Sequence, residues 1–139
     1  MTIYVLDTDI LTLFQDGNDA VCRRVLATPM GALAVSVISV EEQLSGWYTV
    51  LRRAKQAEQL ARAYQRLADC VMFLGCFRVL SFTEPAIERF AQFKQQKLRI
   101  RHMDLRIAAI TLENDGILIT RNTTDFGQVP ELRIEDWTV

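Results

Sequence analysis

Short apolar, β-prone runs alternating with helix-patterned segments constrain this chain more than any other feature. Residues 2–6, 33–38, 77–82 and 117–120 read as strands, with residues 132–134 as a short fifth. Between the first two, a helix over residues 8–15 stops at Asp16, Gly17 and Asn18, and a second runs from the Asn18 cap through Leu26 to Thr28 and Pro29. From Ser39 the chain stays helical in character to Phe73, with Leu60, Tyr64, Leu67 and Val71 as an amphipathic stripe. Pro85 sits in the first turn of a helix that turns Ile87, Phe90 and Phe93 inward, and the basic segment 94–102 ends it and forms a loop. Met103, Ile107, Ile110 and Leu112 mark a last helix over residues 103–113, which Asp115 and Gly116 turn into the fourth strand. This order predicts an α/β fold, a single domain over residues 1–139 with a parallel sheet of about five strands flanked by helices. Half of the 139 residues are apolar, enough for one real core.

Such a topology also fixes where charges go. Helices run antiparallel to the strands, so strand ends and helix starts share one edge, where open α/β sheets place their sites. Asp7 ends the first run, Glu42 follows the second by four residues, Asp104 opens the last helix, and Asp125 follows the fourth run by five. All four are expected on that edge. Two carboxylates ~4 Å apart repel by about 4 kcal/mol at an effective dielectric near 20, a cost that a divalent cation removes. The four therefore read together as a metal site, with oxygen donors that suit Mg²⁺ or Mn²⁺. The lone His102 offers no zinc alternative and reads as a solvated loop residue.

Taken singly, each acid has a structural explanation. Asp7 can cap the helix that follows it. Glu42 stands three residues after Ser39, the spacing of a capping box. Asp104 lies in a first helical turn, where the helix dipole favours an acid, and Asp125 can fold back in an Asx turn. Convergence on one edge is what favours the shared reading.

Composition narrows the function classes. A net charge of −1 gives no global field for nucleic acid, so such a contact needs local patches and a metal-rescued site. No apolar run approaches the ~20 residues of a membrane span. Asp7 and Asp9 interrupt the N-terminal apolar stretch, which argues against a signal peptide. Cys22, Cys70 and Cys76 form no close pair and read as buried, reduced thiols of a cytoplasmic protein.

These residues resemble the PIN-domain family, and specifically its VapC-type toxins. The likeness runs through residues 4–11, with Leu6, Asp7, Thr8 and Asp9, and through residues 36–46, with Glu42, Leu44 and Gly46. It continues over residues 104–109 and 120–126, with Thr120, Arg121, Asn122 and Asp125, and ends at Pro130, Glu131, Leu132, Glu135, Asp136 and Trp137. The resemblance implies a PIN-like fold and an Mg-dependent ribonuclease, the toxin of a pair inhibited by a VapB-type antitoxin. It also implies metal binding at Asp7 and Asp104, with Glu42 and Asp125 completing the acidic, catalytic cluster. Asp9 replaces the Asn common at its position and reads as a turn residue, and Asn122 stands where some relatives carry an acid. Thr8 and Thr120 are expected to orient neighbouring carboxylates.

In this reading Asp7 and Asp104 hold the principal ion, Glu42 and Asp125 shape a second site or orient the water, and Arg99, Arg101, Arg106 and Arg121 guide the RNA backbone. Partners would be RNA, the antitoxin and a second copy as a homodimer within the toxin–antitoxin complex. The apolar side chains between Trp47 and Val71 divide between core and a groove for an antitoxin helix. Two alternatives stay open. Asp7 with Asp9 also resembles the nucleophile motif of haloacid-dehalogenase-type phosphatases, in which Asp7 would be phosphorylated. A non-catalytic binding module would use the acids structurally.

Overall fold

A computed structural model describes all of residues 1–139. Its centre is a parallel five-stranded sheet in the order β3-β2-β1-β4-β5. The strands are β1 (Tyr4–Leu6), β2 (Leu33–Ser36), β3 (Arg78–Leu80), β4 (Ile117–Ile119) and β5 (Arg133–Glu135). The helices are α1 (Thr8–Gln15), α2 (Asp19–Leu26), α3 (Val37–Arg53), α4 (Ala57–Leu74), α5 (Glu84–Gln95), α6 (His102–Glu113) and α7 (Thr123–Phe126). The expected single-domain α/β architecture is therefore the observed one. No helix is long and apolar enough to cross a membrane.

Successive strand residues point to opposite faces, and the core divides accordingly. Val5, Ala34 and Leu118 meet α5 and α6 on one side. Leu6, Leu33, Val35 and Ile119 meet Ile10, Val21, Cys70 and Leu74 from α1, α2 and α4 on the other. Gly116 is needed for closeness rather than for its own turn: the left-handed residue is Asp115, at φ 50°. A Cβ on Gly116 would lie 3.2 Å from both the Ile3 carbonyl oxygen and Val5 Cγ2.

Several expectations change, and of the three cysteines only Cys70 is buried. The 33–38 strand ends at Ser36, because the Ser36 hydroxyl caps α3 by accepting from the Ser39 N–H at 3.2 Å. The 77–82 strand shortens to Arg78–Leu80. The helical stretch to Phe73 breaks at residues 54–56, where Ala54 turns extended and α4 folds back along α3. Its buried face is Ala63, Cys70 and Leu74, so Leu60, Tyr64 and Val71 of the expected stripe are exposed. Ile87 is 45% exposed, and α5 buries Ala86, Phe90 and Phe93 instead.

Candidate active site

The strand order makes β1 the branch point of the sheet, since the chain leaves it for β2 and β3 on one side and later returns for β4 and β5 on the other. The crevice beyond the carboxyl ends of β1 and β4 is the place that such a reversal leaves open. Leu6 pairs with Ile119, so Asp7 and Thr120 leave the sheet side by side. The Asp7 N–H donates to the Ile119 carbonyl at 3.1 Å, and Asp7 Oδ1 caps α1 by accepting from the Ile10 N–H at 2.8 Å.

Asp7 is thus a cap, as its position suggested, but a costly one. It is 7% exposed, and no cationic side chain pairs with it. Burial pushes its carboxyl up to about 6; hydrogen bonds from Thr120 and the Ile10 amide oppose this, and the Asp9 and Asp104 charges add to it.

Asp104, in the first turn of α6, is equally buried. Its carboxylate is held by Arg101, with Nε donating to Oδ2 at 3.2 Å and Nη2 to Oδ1 at 3.1 Å. Asp9 is not a turn residue. It lies in the first turn of α1, and Arg121 grips it with Nε to Oδ2 at 2.6 Å and Nη2 to Oδ1 at 3.0 Å. Asp7, Asp9 and Asp104 line one cleft of about 430 Å³ with Thr8, Arg101 and Arg121.

Glu42 and Asp125 share the sheet edge but do not line that cleft. Glu42 Oε1 accepts from the Thr8 hydroxyl at 2.7 Å, and Thr8 Oγ1 lies 2.9 Å from Ser39 Oγ. The capping-box reading of Ser39 and Glu42 is corrected: the α3 cap is Ser36. Asp125, in α7, accepts from Asn122 Nδ2 at 3.0 Å, and Asn122 Oδ1 caps the Asp125 amide at 3.4 Å. Both acids sit near one cation, since the Arg101 guanidinium is held above its ordinary range by Asp104 first, with Glu42 and Asp125 adding to it.

No three His, Cys, Asp or Glu side chains stand close enough together to hold a metal ion among themselves. The four acids are therefore not a single ligand set in this arrangement. Mg²⁺, however, typically takes only one or two carboxylates and keeps several waters. Asp7 and Asp104, buried at the wall of one cleft, match that demand, and Asp7 is a desolvated oxygen donor without a cation. The donor set fits a hydrated hard cation.

Of the arginines expected to guide RNA, Arg101 and Arg121 face the cleft. Arg106 does not: its guanidinium stacks 5.1 Å from the Phe90 ring and 6.0 Å from Phe82. His102 begins α6 and meets Phe90 edge-on at 5.9 Å. The Asp9–Arg121 pair had no signal in the sequence, because 112 positions separate its members and only the β1–β4 pairing brings them together.

No family model matches the chain. It is 29% identical over 142 aligned residues to Ribonuclease VapC1 of Haemophilus influenzae strain R2866, covering 98% of each chain. Among solved structures it resembles VapBC-1 from nontypeable Haemophilus influenzae, with TM-score 0.72 and 26% identity over 99% of this chain and 100% of that one. The DNA-bound VapBC from Salmonella typhimurium has TM-score 0.79 and 21% identity, with 99% of each chain covered.

Proposed function

We infer that this chain is a VapC-type PIN-domain ribonuclease, a metal-dependent endonuclease acting as the toxin of a toxin–antitoxin pair. The observation that carries the reading is the buried Asp7, paired with no cationic side chain, which lines one cleft with Asp104 at the sheet's reversal point. Full-length similarity to a VapC ribonuclease and to VapBC complexes supports it.

Phosphodiester hydrolysis needs a water delivered in line to phosphorus, a place for its proton, and positive charge against the phosphate oxygens. Mg²⁺, or Mn²⁺ in its place, would supply the charge and acidify the water. Asp7 and Asp104 are the residues that would hold the ion. The Ile10 amide and Thr120 fix the orientation of Asp7. Thr8 holds Glu42 by Oε1 and leaves Oε2 free; because Glu42 stands outside the cleft lining, it takes the proton of the attacking water through one intervening water. Asp125, positioned by Asn122, completes the acidic edge from the β4 side. Arg121 spans the cleft wall from Asp9 and steers the incoming backbone. The water oxygen forms the new P–O bond, the bond from phosphorus to the bridging oxygen breaks, and that oxygen leaves on one strand end and takes a proton from solvent.

The substrate is RNA, and the partners are a VapB-type antitoxin and a second copy of this chain within the toxin–antitoxin complex, in the cytoplasm. Asp7→Asn keeps the cap and the shape but removes the charge. It is expected to abolish RNA cleavage with an unchanged circular dichroism spectrum. Cleavage at the wild-type rate sinks the assignment. A phosphoenzyme trapped on Asp7 would instead establish phosphatase chemistry.

A further inference from the structure

Three carboxylates and two guanidiniums line the cleft, and the pairing between them is uneven. Arg121 neutralises Asp9, which lies at the rim and is about half exposed. Arg101 neutralises Asp104, which is buried and is one of the two acids assigned to the metal. Both donors of Arg101 go to both oxygens of Asp104, so the guanidinium covers the face that a cation would use. Little else holds it there. The Arg101 side chain is 70% exposed, its residue stands at the N-cap of α6, and its guanidinium hydrogen bonds go to Asp104 alone. An ion pair exposed on one side is weak and exchangeable.

We propose that Arg101 is an exchangeable counter-cation, which holds Asp104 while the cleft lacks a divalent ion, yields that carboxylate to the ion, and then offers its guanidinium to the RNA phosphate. This rests on the ribonuclease reading of the cleft. The charge balance explains why the exchange serves both steps. With Arg101 and Arg121 alone, the cleft keeps an excess of negative charge and repels a phosphodiester. Once a divalent ion sits on Asp7 and Asp104, the charge of the residues that line the cleft turns positive, offset outside that lining by Glu42 and Asp125, and the guanidinium is freed from Asp104. A planar guanidinium suits two phosphate oxygens as well as two carboxylate oxygens, so Arg101 passes from one anion to another without a change of chemistry. Glu42 and Asp125, the other acids near it, keep it at the sheet edge in between.

The exchange predicts opposite signs for two affinities. Mn²⁺ binding to the full-length chain, read by electron paramagnetic resonance without RNA, is expected to be about two- to five-fold tighter in Arg101→Gln, the cost of displacing an exposed ion pair. With Mn²⁺ present, binding of a phosphorothioate-linked uridylate oligonucleotide is expected to be several-fold weaker in the same variant. Arg101→Lys keeps the charge without the two-pronged fit and is expected to fall between, which separates exchange from general electrostatics. In the wild type, the Arg101 Nε–H resonance should shift on titration with Mg²⁺. Unchanged or weaker Mn²⁺ binding in Arg101→Gln overturns the proposal, as does unchanged oligonucleotide binding. If wild type and Asp7→Asn bind no Mn²⁺ at all, the ribonuclease reading falls first and takes this one with it.

Discussion

The charge on Asp7 is the most expensive single group in the molecule. Its carboxyl is raised from 3.8 to about 6, chiefly by burial, so folding favours the protonated form. That contribution is fully present below about pH 4 and is lost as pH rises through about 6. A rise of that size corresponds to roughly 3 kcal/mol at neutral pH. In the metal-free protein, Asp7→Asn is expected to stabilise the fold by up to about that amount at pH 7 and to be nearly neutral at pH 4. Chemical denaturation in a chelator at the two pH values checks it. Equal effects at both would mean that burial does not set the Asp7 carboxyl. Glu42 gives a second residue-scale test. Gln keeps the bond from the Thr8 hydroxyl but cannot take a proton, and with α3 capped by Ser36 no capping box depends on position 42. Glu42→Gln is therefore expected to lower cleavage by about 10²-fold or more, in the range of a lost general base. A wild-type rate across a Mg²⁺ titration would return Glu42 to a structural role.

Helix ends written by local chemistry were legible, and helix ends set by packing were not. The bounds of α1 follow from Asp7 as cap and from the stop at Asp16 and Gly17, whose φ of 82° suits glycine. The break between α3 and α4 falls on Ala54, Lys55 and Gln56, all good helix formers, so no local signal marks it. It exists because α4 returns along α3, and that return rotates the expected stripe away from the core. Between the two helices lies a groove of about 470 Å³, lined by Trp47, Val50, Ala54 and Ala63 with Arg53, Arg62 and Arg66. Apolar floor and cationic rim together suit an amphipathic helix with acidic flanks, and the antitoxin is the partner expected to supply it. Hydrogen exchange with and without the antitoxin should show new protection across residues 47–71. Unchanged protection there would place the antitoxin on another face.

Across the whole molecule, the sheet order turns scattered acids into a site. Alternating strands and helices were enough to send Asp7, Glu42, Asp104 and Asp125 to one edge. They could not reveal that three of the acids arrive with side-chain partners, Thr8 on Glu42, Arg101 on Asp104 and Asn122 on Asp125, or that Asp7 is held by Thr120 and the Ile10 amide with no cation paired to it. Thr8 and Glu42 stand 34 residues apart and meet only through the fold, while Arg101 and Asp104, like Asn122 and Asp125, are three residues apart, a spacing that does not by itself show that the side chains meet. The two arginines that line the cleft make the metal-free fold a compromise, with Arg101 on Asp104, Arg121 on Asp9 and the Asp7 charge left over. A divalent ion that binds only the folded chain stabilises it by about 2.7 kcal/mol at a hundred times its dissociation constant. For a chain of this length that is a rise of roughly 10 °C in melting temperature. Asp7→Asn is expected to begin above the wild type in chelator, because its leftover charge is gone, and to gain little from Mg²⁺. The order of the two melting temperatures should therefore reverse as Mg²⁺ is added at pH 7. The wild-type gain should shrink as pH falls through about 6, where a proton competes for Asp7. If the wild type and Asp7→Asn rise in parallel with Mg²⁺, the stabilising ion sits elsewhere and Asp7 is a buried cap without a metal.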